Sequence, residues 1–169
     1  EGDDKISGDD ISGALLAADA HGDDTIFGEQ GDDYLVGGGG DDKLYGGEDK
    51  DTLYGDGETV ANGGKDLLDG GEGDDKLFGN GGDDNLIGGA GNDGLVGGAG
   101  DDLLDGGTGA DALFGGEGND VYLIGPGDSS PAGDLVEQIE DSGGDDTIRF
   151  GAGVDRESFR VYCETRDDG

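Results

Sequence analysis

The chain has 169 residues and a formal net charge of −35, and 43 of its residues are glycine. Nucleic acids and anionic membranes bind proteins through basic surfaces, so this acidity argues against both as partners and favours cations. Only 30% of the residues are apolar, and the single cysteine, Cys163, cannot form an intrachain disulfide. Such a composition is typical of a disordered chain, and we expect an ordered fold to need a metal for stability.

The beginning of the chain contains one short unit, residues 2–7, with the sequence GDDKIS. Leu15 follows Ile6 by nine residues, but Gly13 stands where the first unit has Asp4. We therefore expect an imperfect start to the pattern before residue 22. Residues 14–18 are compatible with a strand or a short helix, because an apolar run of this length shows no decisive periodicity.

A regular pattern begins at residue 22, in which an aspartate stands two residues before an apolar residue. The apolar residues are Ile26, Leu35, Leu44, Leu53, Leu68, Leu77, Leu86, Leu95, Leu104, Leu113 and Tyr122. The aspartates are Asp24, Asp33, Asp42, Asp51, Asp66, Asp75, Asp84, Asp93, Asp102, Asp111 and Asp120. The spacing is nine residues except for a step of fifteen after Leu53, which we interpret as a surface insertion near residues 55–63. A disordered linker has no reason to keep this register, so the pattern predicts a repeat fold.

Each nine-residue repeat is predicted to form one strand and one turn. The apolar residue and its two neighbours, such as residues 76–78, form a short strand, and the six residues before them, such as 70–75, form a glycine-rich turn. Each repeat therefore reverses the chain, and two repeats complete a coil of eighteen residues. This geometry produces two parallel sheets whose apolar residues meet inside. The predicted fold is all-β, a parallel β-roll.

Turns two repeats apart fall on the same edge of such a roll, so their aspartates stack. The stacked pairs are Asp24–Asp42, Asp33–Asp51, Asp42–Asp66, Asp51–Asp75, Asp66–Asp84, Asp75–Asp93, Asp84–Asp102, Asp93–Asp111 and Asp102–Asp120. Carboxylate and carbonyl oxygens are hard ligands that suit calcium and not zinc or copper. Neighbouring sites share aspartates, which predicts cooperative binding. We expect Lys50 and Lys65 to weaken the sites beside them, because they place positive charge near the ion.

The spacing loosens after Tyr122. Asp134 and Asp146 still stand two residues before an apolar residue, but Val136 lies fourteen residues after Tyr122 and Ile148 a further twelve. We expect residues 125–169 to be a flanking, capping segment, truncated here, so that the chain is a piece of a larger polypeptide. The aromatic residues expected to cover the open end of the roll are Tyr122, Phe150, Phe159 and Tyr162.

Residues 88–96 read GGAGNDGLV, which resembles the RTX nonapeptide G-G-x-G-x-D-x-U-x, where U is a large apolar residue. Positions in this repeat are numbered one to nine, with the aspartate at position six and the apolar residue at position eight. The resemblance to the RTX (repeats-in-toxin, haemolysin-type) family covers residues 1–124 well and residues 125–169 weakly. It implies a right-handed parallel β-roll, or β-solenoid, over residues 1–124, followed by a short β-rich cap.

The resemblance also implies the ligands, since each calcium ion in an RTX roll takes one aspartate and two turn carbonyls from each of two loops. One such site would comprise Asp84, Asp102 and the carbonyls of Asn80, Gly82, Gly97 and Ala99. Along the array, the other carbonyls implied as ligands are those of Gly22, Gly31, Gly71, Gly73, Gly88, Gly89, Ala90, Gly91, Gly98, Gly100, Gly106, Thr108, Gly115 and Glu117. The roll would hold roughly eight to ten calcium ions, about one for each stacked pair.

Residues for catalysis are not evident. His21 is the sole histidine, so a multi-histidine zinc site cannot form, and no nucleophile motif of the form G-x-S-x-G occurs. We therefore expect no enzyme activity, but a calcium-binding structural module of a large secreted bacterial protein. An adhesin or toxin-like exoprotein, exported by type I secretion and located outside the cell or on its surface, is favoured. The alternative is a module of a secreted metalloprotease, lipase or alginate epimerase, which aids folding or binds a polysaccharide.

Overall fold

A computed structural model of the chain describes residues 5–7, 15–17, 22–57, 63–125 and 138–154. All regular secondary structure in these ranges is β-strand. The strands are β1 (Lys5–Ser7), β2 (Leu15–Ala17), β3 (Thr25–Gln30), β4 (Tyr34–Gly38), β5 (Lys43–Glu48), β6 (Thr52–Asp56), β7 (Leu67–Glu72), β8 (Lys76–Gly81), β9 (Asn85–Ala90), β10 (Gly94–Ala99), β11 (Leu103–Thr108), β12 (Ala112–Glu117), β13 (Val121–Ile124), β14 (Gln138–Glu140) and β15 (Thr147–Phe150). No stretch of helix with the length and apolarity of a membrane span occurs among these residues.

The strands alternate between two parallel sheets. The odd-numbered strands form one sheet in chain order, from β1 to β15, and the even-numbered strands form the other, from β2 to β14. Each strand therefore pairs with the strands two places before and after it, as Leu95 of β10 does with Leu77 and Leu113. This arrangement confirms the parallel β-roll with two repeats in each coil.

The core is one continuous row of side chains from position eight of successive repeats. Ile26, Tyr122 and every leucine at position eight between them are at most 1% exposed to solvent. Their neighbours at positions seven and nine are half-buried or exposed, because successive side chains of a strand point to opposite faces. Each buried leucine contributes about 1.5–3 kcal/mol to stability, which is little for nine ordered residues.

The strands are longer than the three residues that the sequence predicts. In β10 the strand continues from Gly94 through Ala99, and the ladder still pairs Gly98 with Gly116 and Ala99 with Glu117. The strand thus includes the first three positions of the glycine-rich segment, and the turn is reduced to positions four to six. The reason is that successive coils stack in register, so the backbone of one coil finds hydrogen-bond partners in the next beyond the apolar triplet.

At the start of the roll, residues 15–17 form a strand and not a helix. The predicted register was wrong by one residue, because Leu16 and not Leu15 pairs with Leu35 of β4. Ile6 pairs with Ile26, as a first repeat would. Gly13 and His21 lie outside the described residues.

The insertion separates β6 from β7, and its residues 58–62 lie outside the described part of the chain. On either side of it the coils remain stacked in register. β5 pairs with β7, and β6 pairs with β8, as elsewhere in the roll. The longer step is therefore accommodated without a break in either sheet.

The last described strands differ from the sequence prediction. β14 follows β12 in its sheet and places Ile139 opposite Leu113. The sequence spacing predicted Val136 at this place. Ile148 lies opposite Tyr122, as predicted, and both isoleucines pack against the core. Tyr122 is itself buried within the core row and not placed over its end. Asp134, Val136, Phe159, Tyr162 and Cys163 lie outside the described residues.

Candidate metal sites

The aspartates at position six of the repeats form two rows, one along each edge of the roll, where the chain passes from one sheet to the other. In ten pairs the backbone N–H of one aspartate donates a hydrogen bond of 2.8–3.0 Å to Oδ1 of the aspartate one coil further along. The donor and acceptor pairs are Asp24 and Asp42, Asp33 and Asp51, Asp42 and Asp66, Asp51 and Asp75, Asp66 and Asp84, Asp75 and Asp93, Asp84 and Asp102, Asp93 and Asp111, Asp102 and Asp120, and Asp120 and Asp146. The stacking follows the pairs expected from the repeat spacing and adds Asp146 as the last member of one row.

In eight of these carboxyl groups the second oxygen lacks a hydrogen-bond donor among the described residues. All eleven aspartates of the regular array are at most 4% exposed. Among the described residues, buried Oδ2 atoms without a hydrogen-bond partner belong to Asp42, Asp51, Asp66, Asp75, Asp84, Asp93, Asp102 and Asp120. A buried carboxylate oxygen without a partner is costly, since desolvation is not compensated. These atoms are therefore where a cation is needed.

Backbone carbonyls converge on the same oxygens. A β-carbon built on Gly88 would lie 2.5 Å from Oδ2 of Asp93 and 2.5 Å from the carbonyl oxygen of Gly106 in the next coil. The two oxygens therefore lie within about 5 Å of each other, close enough for one cation with calcium–oxygen distances of about 2.3–2.6 Å. Only glycine at position one leaves this space open. The same arrangement joins an aspartate to the next coil's first-position glycine at Asp33 and Gly46, Asp42 and Gly55, Asp51 and Gly70, Asp66 and Gly79, Asp75 and Gly88, Asp84 and Gly97, and Asp102 and Gly115.

The electrostatics of the rows disfavour charged carboxylates in the absence of a cation. The pKa of Asp66 is raised to about 8, chiefly by burial; the hydrogen bond from the N–H of Asp42 lowers the pKa, and repulsion from Asp84, Asp56 and Asp42 adds to the rise. Burial likewise raises the pKa of Asp84 to about 6. The same cause raises the pKa to about 7 for Asp42, Asp51, Asp93 and Asp102. A bound cation would favour the ionised form instead.

The turn carbonyls predicted as ligands fall into distinct environments. Those at position one, from Gly88, Gly97, Gly106 and Gly115, lie beside Oδ2 of an aspartate of the preceding coil. Those at position three accept a hydrogen bond of 2.7–3.0 Å from an N–H of the preceding coil, in the pairs Gly73 to Ala90, Gly82 to Ala99, Gly91 to Thr108 and Gly100 to Glu117. A carbonyl has a second lone pair, so this hydrogen bond does not prevent a contact with a metal.

The predicted carbonyls at positions two and four face the following coil. At position two these are the carbonyls of Gly71, Asn80, Gly89 and Gly98, and at position four those of Gly22, Gly73, Gly82, Gly91 and Gly100. Each approaches the glycine at its own position one coil further along, so closely that a side chain there would collide with it. Gly31 donates its N–H to the carbonyl of Glu48 at 3.2 Å. The roles of these residues as individual ligands stay predictions.

A second, exposed ladder runs outside each aspartate row, at position five. The N–H of Asp101 donates to Asp83, and both the N–H and the side-chain amide of Asn119 donate to Asp101. Lys65 belongs to this outer ladder and forms an ion pair with Asp83. Its charge also lowers the pKa of Asp84, although burial has the larger, opposite effect. The predicted weakening of the nearby calcium sites by Lys50 and Lys65 remains a prediction.

Several residues of the rows were missed in the sequence. The first-position carbonyls of Gly46, Gly55, Gly70 and Gly79 have the same surroundings as that of Gly88, and the repeat register alone would have found them. Asp56 is 3% exposed, accepts the N–H of Gly81 on Oδ2, and has an Oδ1 atom without a partner among the described residues. It stands at position two, where the consensus of the repeat has glycine, so the motif does not point to it.

Stacked parallel coils with buried carboxylates and converging glycine carbonyls on both edges define a calcium-binding β-roll. The model of the RTX calcium-binding nonapeptide repeat matches the chain at residues 22–44, 30–58, 60–95, 95–122 and 138–157. The chain belongs to this family of calcium-binding repeats, and the oxygen-rich cradles fit the ion. No curated protein matches the chain.

Proposed function

We propose that the chain is a calcium-folded structural module of a large secreted bacterial protein, an adhesin or toxin-like exoprotein exported by type I secretion. The observation that carries this proposal is the burial of the unpartnered Oδ2 atoms, for example those of Asp93 and Asp102. In the folded chain these carboxyl groups have lost water and gained no donor on one oxygen. The folded state is thus poorly stabilised at neutral pH until positive charge reaches both edges of the roll.

The remaining interactions do not supply the missing stability. Each repeat buries only one large apolar side chain, and this burial stabilises the fold by much less than the ordering of nine backbone residues costs. Hydrogen bonds between coils recover about 1 kcal/mol each. A bound calcium ion would supply charge compensation and additional oxygen contacts between adjacent coils. Aspartate and glycine ligands from two coils make folding and binding the same event.

This coupling supports an extracellular setting. Repeats of this family are typical of secreted proteins. A chain that stays unfolded where free calcium is scarce can pass through a narrow export channel, and the same chain folds where calcium is abundant. The proposal therefore places folding after export.

Circular dichroism with calcium as titrant tests the proposal at neutral pH. We expect little strand signal in chelator, a cooperative rise with calcium, and a much weaker response to magnesium, which demands stricter octahedral geometry. A full strand signal in chelator would contradict calcium-dependent folding. Accumulation of the full-length parent protein outside the producing cells, lost when the transporter is deleted, tests the export step.

A second candidate is polysaccharide binding by a module of a secreted enzyme. The outer face of the even-numbered sheet carries adjacent aromatic rings. Tyr54 and Phe78 are stacked at a centroid distance of 4.7 Å, and Tyr34 is tilted by 39° against Tyr54 at 5.2 Å. Tyr34 is 41% exposed, and a solvent-accessible aromatic ring with a polar hydroxyl suits contact with a sugar ring. Titration of the calcium-bound chain with a neutral polysaccharide, followed by tyrosine fluorescence, tests this candidate against a Tyr34→Ala control. Unchanged fluorescence in the unsubstituted chain would contradict it.

A further inference from the structure

The last coil of one aspartate row brings together three carboxyl groups. Asp146 continues the row beyond Asp120, whose N–H donates to Oδ1 of Asp146 at 3.0 Å. Asp141 directly follows β14, and since Glu140 pairs with Phe114, it occupies position one of this coil, opposite Gly115. A carboxylate oxygen of each of Asp120, Asp141 and Asp146 lies within 4.8 Å of the others. Asp120 is buried, whereas Asp141 and Asp146 are exposed at the end of the roll.

Asp120 supplies independent evidence of a ligand. It is 0% exposed, and its Oδ2 atom has no hydrogen-bond partner among the described residues. This atom and the hydroxyl of Tyr122 both lie close to the β-carbon position of Gly115, where the preceding coils of the row place a glycine carbonyl. The hydroxyl donates to Oδ1 of Asp141 at 3.1 Å. The buried oxygen is therefore directed toward the same space as the carboxyl group of Asp141.

The groups around Asp141 hold it in place without balancing the charge. The N–H groups of Gly116 and Gly143 donate to its two oxygens at 3.2 and 3.0 Å. The N–H of Gly115 donates to the hydroxyl of Tyr122 at 2.9 Å, and the acceptors for the hydroxyl proton are Oδ1 of Asp141 at 3.1 Å and the carbonyl oxygen of Glu140 at 3.4 Å. No lysine or arginine in the described ranges forms an ion pair with any of the three carboxyl groups. Three like charges at this separation repel one another strongly unless a cation lies between them.

We propose that Asp120, Asp141 and Asp146 form a separate calcium site at the end of the roll, distinct from the repeat sites in using three side-chain carboxylates. Hard oxygen ligands with this much charge select calcium over softer metals. The proposal rests on the proposed calcium dependence of the roll. Its ligands come from the turn before β13 and from both sides of the β14–β15 connection, so binding holds the last two strands against the core.

Terbium luminescence tests the site in the whole chain, because terbium takes the oxygen ligands of calcium and emits when a nearby tyrosine is excited. The Tyr122 hydroxyl contacts Asp141, so the terminal site should be the strongest tyrosine-sensitised one. Asp141→Asn should remove most of the terbium emission and lower the affinity for one bound calcium ion on the order of tenfold. Asp145→Asn, which removes the same charge four residues away, should leave both unchanged. Equal emission from the two variants would overturn the proposal.

Two further measurements distinguish a failure of this site from a failure of the proposed function. Circular dichroism in calcium reports whether each variant still forms the roll. If the strand signal of the unsubstituted chain does not change with calcium, the proposed function is refuted. If the Asp141→Asn chain folds with calcium and keeps the terbium emission of the unsubstituted chain, this site alone is refuted. If Asp141→Asn does not fold, Tyr122→Phe provides the test. It should keep the number of bound ions and lose most of the emission, and retention of full emission would overturn the proposal.

Discussion

Oδ1 of Asp102 accepts the backbone N–H of Asp84 at 2.8 Å and so joins two successive coils, while Oδ2 of the same carboxyl group is buried without a donor. One carboxyl oxygen of this side chain thus accepts a hydrogen bond that joins two coils, and the other is available to coordinate a cation. The same division is found at Asp42, Asp51, Asp66, Asp75, Asp84, Asp93 and Asp120. Neighbouring sites therefore share their ligands, and the stability of one coil depends on the next.

Neutralising an aspartate of the buried row should weaken calcium binding far more than neutralising the exposed aspartate that precedes it in the sequence. Asp102→Asn keeps an oxygen for the N–H of Asp84 but loses the buried charge, so the calcium midpoint of folding should rise on the order of tenfold. Asp101→Asn is the matched control, since Asp101 is exposed in the outer ladder and the amide can still accept from Asn119. Calcium titration followed by circular dichroism measures both. Equal midpoints for the two variants would contradict the assignment of the inner row.

A β-carbon at position two should be far less tolerated than one at position seven. Gly98 has a φ of 121°, and a β-carbon there would collide with the carbonyl oxygen of Asn80. Gly98→Ala should therefore lower the free energy of unfolding by about 2–3 kcal/mol or more. Gly94→Ala meets no atom closer than 3.9 Å and should be neutral or stabilising by up to about 1 kcal/mol. Urea unfolding in saturating calcium compares them, and similar losses would argue against the close stacking of coils.

Truncation of a core leucine should cost more than truncation of the adjacent leucine. Leu104 is 0% exposed in the core row, whereas Leu103 is half-buried on the outer face. Leu104→Ala should lower the free energy of unfolding by about 2–5 kcal/mol, because it leaves a cavity. Leu103→Ala should cost about 1 kcal/mol. The comparison uses calcium-saturated chains, and a larger loss for Leu103→Ala would mean that the strand faces are assigned the wrong way round.

Acid should partly replace calcium. The pKa of Asp66 is raised to about 8 and that of Asp93 to about 7 in the roll, whereas both are about 3.9 in an unfolded chain. The folded state therefore binds protons more tightly, so its stability in chelator is greatest near pH 4 and is lost as the pH rises through 7 to 8. Circular dichroism in chelator should show more strand signal at low pH.

Salt separates this effect from simple surface repulsion. In about 1 M salt the screening length is about 3 Å, so repulsion among exposed carboxylates is largely removed, but the desolvation of the buried ones is not. The pH dependence in chelator should persist under these conditions. A chain with more strand signal at pH 8 than at pH 4 in high salt and chelator would contradict the raised pKa values of Asp66 and Asp93.

Much of the roll could be read from the sequence because its interactions repeat with the chain. The aspartate that stands two residues before Leu95 or Leu104 must recur on the same edge every second repeat, so spacing alone predicts the stacked pairs and the core row. The register failed where the repeat length changes. Leu16 replaced Leu15 near the start, and Ile139 took the place assigned to Val136 near the end, since a strand is positioned by its neighbours and not by a fixed count.

The sequence by itself determined the two aspartate rows, the apolar interior and the choice of calcium, because these follow from residue type and a constant spacing. The tertiary structure decided which atoms meet. It showed that the first-position carbonyl of Gly106 faces Oδ2 of Asp93, and that Asp56 and Asp141 enter the rows from irregular segments. No spacing rule reaches such contacts, because they arise from the stacking of one coil on another and from loops whose lengths depart from the repeat.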